Sequence, residues 1–161
     1  MPAKFGRYVA VYFNNAPRVA GRGMRATIDQ KNIAFVPRLT VVQPGATVTF
    51  TNSDPVVHNV FSPDPKRFDL GSMPPGSRKS HVFNRVGNHT LLCHIHPGMI
   101  AYLFVSPSGY YATVDANGHY NIPDVPDGTY RMTVWSPKLP AQARTVRLYG
   151  GTVREDFHLH R

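Results

Sequence analysis

The sequence of 161 residues has a single cysteine, Cys93, which excludes an internal disulfide framework. It has no run of about 18 apolar residues, so no helical membrane span is expected. No charged segment followed by an apolar stretch opens the chain. Its start, Met1-Pro2-Ala3-Lys4, reads equally as a cytoplasmic terminus or as what remains after a removed signal. No segment is free of glycine, proline and charge for long enough to predict a helix of several turns. Acidic residues are scarce: nine Asp and Glu stand against eighteen Lys and Arg, a formal charge of +9. Such an excess attracts an acidic protein, an anionic membrane surface or nucleic acid. The basic residues are scattered and no nucleic-acid motif accompanies them, so nucleic acid is not expected as a partner.

Apolar residues make up 42% of the chain and aromatics 11%, enough for a packed core. Fifteen prolines and thirteen glycines spread along it favour many short strands joined by turns, and predict an all-β protein. Residues 8–13 are rich in β-branched and aromatic side chains and end at the turn signal Asn14-Asn15-Ala16-Pro17. A loop is expected at 19–25, two strands around Pro44-Gly45 at 39–42 and 47–50, and another strand at 56–61. Residues 62–80 carry four prolines and two glycines and read as a long surface loop. Strands are expected again at 81–83, 90–93 and 100–105.

Ser106-Pro107-Ser108-Gly109 reads as a joint. Beyond it the pattern predicts strands at 110–114, 119–122 and 130–135, then a hairpin of 145–149 and 153–159 about Gly150-Gly151. This tail is small for a self-standing sandwich. The strand at 8–13 is therefore expected to return and complete it. The predicted organisation is an N-terminal strand segment 1–23, a domain 24–105, and a small sandwich 106–161.

The chemistry concentrates in Leu92-Cys93-His94-Ile95-His96-Pro97-Gly98-Met99-Ile100. Cys93 ends a strand, a tight Pro/Gly loop returns His96 and Met99 to the same point, and Ile100 opens the next strand. His58, 35 residues upstream of Cys93, can supply a second imidazole from another strand. A soft thiolate with imidazoles suits copper or zinc, and two histidines with one cysteine and a weak axial Met form the blue-copper set. Structural zinc normally takes four strong nitrogen or sulfur ligands and seldom methionine. The expected site is therefore one copper ion on His58, Cys93, His96 and Met99. With four protein ligands it leaves no open position for a substrate, which argues against catalysis there.

His58-Asn59 followed by Cys93-x-x-His96-x-x-Met99 resembles the ligand pattern of amicyanin and pseudoazurin among the cupredoxins. A closer resemblance is to the exported cupredoxin-like proteins labelled methylamine-utilisation-like. It is carried by Gln30-Lys31-Asn32, Phe35-Val36-Pro37, Asn52-Ser53-Asp54, His58-Asn59-Val60-Phe61-Ser62, Phe68-Asp69-Leu70-Gly71 and Cys93-x-Ile95-His96-Pro97-x-Met99-x-Ala101-Tyr102. In that family a carboxypeptidase-regulatory-like β-sandwich follows. Val114-Asp115-Ala116-Asn117-Gly118 and the run from Ile122-Pro123 to Val134-Trp135 are similar to it. The resemblance implies a Greek-key cupredoxin sandwich and a small second sandwich. It also implies that Asn59 bridges the two ligand loops by a hydrogen bond near the cysteine, and that the protein is exported to the periplasm or outside the cell.

Two positions depart from the family: His94 where Asn is usual, and Ser136 where His tends to follow the tryptophan. Strand alternation points His94 away from the Cys93 metal, and a hydrogen-bonded loop role is expected for it. His81, His89, His119, His158 and His160 have no ligand spacing around a cysteine. The functional expectation is single-electron transfer to a redox partner protein, an acidic cytochrome or copper enzyme, with Pro97 and Gly98 forming an apolar rim around the outer edge of His96. The alternatives are a copper-handling module and a copper enzyme with a second site at His94.

Overall fold

A computed structural model of the chain describes residues 8–63 and 66–157. The described residues form strands, turns and loops with no α-helix, so the protein is all-β as its composition implies. The strands are β1 (Ala10–Phe13), β2 (Arg25–Gln30), β3 (Phe35–Val36), β4 (Leu39–Val42), β5 (Ala46–Asn52), β6 (His58–Ser62), β7 (Phe68–Met73), β8 (Arg78–Phe83), β9 (Gly87–Leu92), β10 (Ile100–Val105), β11 (Tyr111–Thr113), β12 (Gly128–Ser136) and β13 (Leu139–Leu148). They divide between two compact units, Gly21–Val105 and the pair of segments Met1–Ala20 and Ser106–Arg161.

In Gly21–Val105, β5 shows most plainly why these residues make strands. In Ala46-Thr47-Val48-Thr49-Phe50-Thr51-Asn52 buried and half-buried positions alternate strictly, the period of a sheet with one face on a core. Burying a Val or Phe of this kind contributes about 1.5–3 kcal/mol. One sheet runs β4-β10-β9-β6-β7 and the other β3-β2-β5-β8. Their apolar faces share a core that includes Ile28, Phe35, Val48, Phe50, Val60, Phe83, Leu91 and Leu103. Cys93 and Met99 belong to that same core.

Several sequence expectations need correction. The strands expected on either side of Pro44-Gly45 are both present, but they do not pair with each other: β4 runs parallel to β10 and β5 lies between β2 and β8. The turn instead carries the chain from one sheet to the other, with Gly45 at φ 89°, in the left-handed region open to glycine. The proposed loop at 62–80 contains β7 and the start of β8, and the loop at 19–25 leads into β2, which was not anticipated.

The second unit has one sheet, ordered β11-β1-β12-β13. Here β1 is central, antiparallel to β11 through Ala10↔Thr113 and to β12 through Ala10↔Trp135. The unit's core gathers Val9, Val11, Phe13, Tyr130, Met132, Val134 and Val146. Residues 119–122 are not a strand, and neither are the described residues 153–157. The hairpin in this region is β12–β13, closed at Ser136↔Leu139. The rest of the hairpin expected at 153–159 lies outside the described residues, as do the chain start at 1–4, His158 and His160.

Candidate metal centre

All of the site's elements lie in Gly21–Val105. Ile100 of β10 pairs with Leu92 of β9, so Cys93 to Met99 is the loop of a β9–β10 hairpin. The Met99 N–H donates to the His96 carbonyl at 3.0 Å and tightens that loop. Phe61 of β6 pairs with Leu92, which brings the start of β6 alongside the loop. His58, the first residue of β6, is fully buried, and Cys93 is 4% exposed.

The three expected strong ligands converge. His58 Nδ1 lies 3.1 Å from His96 Nδ1, and Cys93 Sγ lies 3.9 Å from the same atom. Ligand atoms from all three residues stand within 4.8 Å of one another, close enough for one ion to reach them all. Among the described residues, this is the cluster of His, Cys, Asp and Glu side chains with metal-ligand spacing. Met99 is buried at the end of the loop, in the core that also holds Cys93. His96 is half-buried, and Pro97 and Gly98 beside it are exposed.

Asn59 joins the loop to its neighbours. Its Nδ2 donates to Asp69 Oδ1 at 2.8 Å and to the Gly71 carbonyl at 3.0 Å, while its Oδ1 accepts the His94 N–H at 3.3 Å. His94 itself turns outward. Its ring stacks on Phe61 with centroids 3.6 Å apart and planes 1° from parallel, and its Nε2 is 3.0 Å from Asp69 Oδ2. The Gly71 N–H, with Asn59 and His94, holds the Asp69 carboxyl below the ordinary range. His81 stacks on Phe68, His89 Nε2 meets the Arg85 carbonyl, and the His119 N–H donates to Asp115. None of these three histidines joins the cluster.

Sequence reasoning missed Asp54. This buried carboxylate reaches His58 from behind, with Oδ2 2.7 Å from Nε2. The hydrogen bond with His58, and next the Ile33 N–H, keep the Asp54 carboxyl below the usual carboxylate range. Its signal was present in Asn52-Ser53-Asp54, four residues before a candidate ligand histidine. The donor set fits copper: a cysteine sulfur and two imidazoles converge, and the far nitrogen of the buried imidazole is already held.

A family model described as "Polysaccharide lyase family 4, domain II" matches residues 106–153. No curated protein matches the sequence. Among solved structures, the chain is similar to a purple cupredoxin from Nitrosopumilus maritimus at 30% identity and TM-score 0.46, over 50% of this chain and 99% of that one. It is similar to a copper-containing nitrite reductase from Thermus scotoductus SA-01 at 24% identity and TM-score 0.48, over 55% of this chain and 25% of that one. A variant of amicyanin in its reduced Cu(I) form matches at 22% identity and TM-score 0.48, over 55% of this chain and 85% of that one. The fold class is all-β, and these neighbours are cupredoxins.

Proposed function

We propose that this protein binds one copper ion and passes single electrons to and from a partner protein. The observation that carries the reading is the convergence of His58, Cys93 and His96, two of them buried and the third half-buried. Copper held there would supply a one-electron couple between Cu(I) and Cu(II). In this reading Cys93 would hold the ion through a soft thiolate, His58 and His96 through imidazoles, and Met99 through a weak thioether. Asn59 ties the ligand loop to β7 so that its donors keep their places when the charge changes. The exposed Pro97 and Gly98, next to half-buried His96 in the loop, would give a partner an apolar landing surface. Four protein donors leave no position for a substrate, which makes the protein a carrier and not an enzyme.

The same proposal assigns residues 24–105 to the copper domain and 106–161, with the strand from 1–23, to a carboxypeptidase-regulatory-like sandwich. It places the protein in the periplasm or outside the cell, with an acidic cytochrome or copper enzyme as partner. The enzyme alternative required a second copper at His94. That imidazole is engaged by Phe61 and Asp69, which favours the single-site reading.

The test is copper loading of wild type and Cys93→Ser, with metal counted and visible spectra recorded. One equivalent of copper and an intense thiolate-to-copper band are expected in the wild type, and loss of the band in Cys93→Ser. A Cys93→Ser protein that keeps the band would end the reading.

A further inference from the structure

Asn32 and Ile33 form the tip of the β2–β3 hairpin, closed by the Lys31 N–H donating to the Ala34 carbonyl at 2.9 Å. Both tip residues take φ of 54°. Asparagine tolerates the left-handed region, but a β-branched residue there is an outlier. Burial does not explain it, because Ile33 is 53% exposed. What the conformation achieves is to aim two successive backbone N–H groups at one carboxylate. The Asn32 N–H donates to Asp54 Oδ1 at 2.7 Å and the Ile33 N–H to Asp54 Oδ2 at 2.9 Å.

Asp54 is fixed from its other side as well. Its own N–H donates to Asn52 Oδ1 at 2.9 Å. The Asn52 amide in turn donates to the Val56 and Met73 carbonyls, each at 2.9 Å. The loop between β5 and β6 is thereby tied to β7, and the carboxylate is left with one direction to face. That direction is His58 Nε2, 2.7 Å from Oδ2.

We infer that Asp54, gripped by the Asn32 and Ile33 N–H groups, is a positioning residue that keeps the His58 proton on Nε2 and leaves Nδ1 bare toward His96 and Cys93. An ionised carboxylate only accepts, and a neutral imidazole carries one proton, so a carboxylate at Nε2 selects the tautomer. The backbone strain at the hairpin tip then has a use, because it is the N–H pair that holds the carboxylate in place. The role presupposes the metal site proposed above, but the tautomer does not depend on a metal being bound.

Long-range proton–nitrogen NMR on the metal-free full chain, well above the ordinary histidine pKa, reads that tautomer directly. His58 should carry its proton on Nε2 in the wild type. A proton on Nδ1 would overturn the inference without any variant being made. In Asp54→Asn only one oxygen remains for two N–H donors, so the Nε2–H preference should fall. Copper release to a chelator should then quicken about 10–100-fold. A release rate equal to wild type would also overturn the inference. Ile33→Gly keeps the N–H and suits the backbone angle, and should retain both the tautomer and the wild-type release rate; loss of either would break the link to the hairpin tip. A wild-type chain that takes up no copper would sink the metal-site reading, while the tautomer would still decide the role of Asp54.

Discussion

At the scale of single residues, the loop from Cys93 to Met99 sets distinct expectations for its members. In the proposed site Met99 would be a weak thioether ligand that tunes the couple more than it holds the ion. Met99→Leu should keep the visible band and raise the reduction potential, measured by redox titration; a colourless protein would contradict that role. His94→Asn should alter neither copper stoichiometry nor colour, because His94 is engaged by Phe61 and Asp69. Loss of a second equivalent of copper in that variant would revive the enzyme alternative. The convergence of His58, Cys93 and His96 was legible because two of them share one short loop and the third opens a strand with a distinctive neighbour, Asn59. Asp54 was not legible. Its role depends on a contact made through folding with the N–H groups of Asn32 and Ile33, and backbone donors leave no mark in a sequence.

At the scale of the elements, short apolar and β-branched runs bounded by turn signals made β4, β5, β9 and β10 readable, with β4 and β10 matching their expected bounds. β7 was hidden because prolines and glycines flank and interrupt its segment, and Gly71 sits inside it at φ 76°. The partnering of strands was less visible still, since a turn signal such as Pro44-Gly45 marks a reversal without saying which sheet receives the next strand. Phe50, fully buried in β5, should cost about 3–5 kcal/mol when cut to Ala, read from denaturant unfolding of the metal-free protein. The strands β8 and β9 also predict a pH dependence. His81 stacks on Phe68, and both His81 and His89 meet the ring of Phe83. Burial lowers both histidine pKa values, with Lys66 and His89 adding to the effect at His81 and the Arg85 charge at His89. Below the ordinary value of about 6.5 the unfolded chain then binds more protons than the folded one, so stability falls as pH falls through that window. The denaturant midpoint of metal-free protein should drop as pH falls through about 6.5, and drop less in His81→Gln. An identical drop in the variant would remove His81 from the account.

At the scale of the whole molecule, the charge of +9 bears on encounter with a partner. Exposed charges are screened beyond about 8 Å at physiological salt, so association with an acidic redox partner should slow as ionic strength rises. A stopped-flow on-rate indifferent to salt would leave the charge serving solubility alone. The place of β1 has a consequence of a different kind. Its partner β12 begins at Gly128, so a ribosome finishing one side of that sheet must wait for the other. At about 5–20 residues per second the delay is roughly ten seconds, during which all of Gly21–Val105 has emerged. The molecule's single tryptophan, Trp135, stands opposite Ala10 of β1 and is a built-in clock for this long-range closure. Its fluorescence should recover late when the chain refolds, because the contact it reports is the most distant in sequence of the described strand pairings.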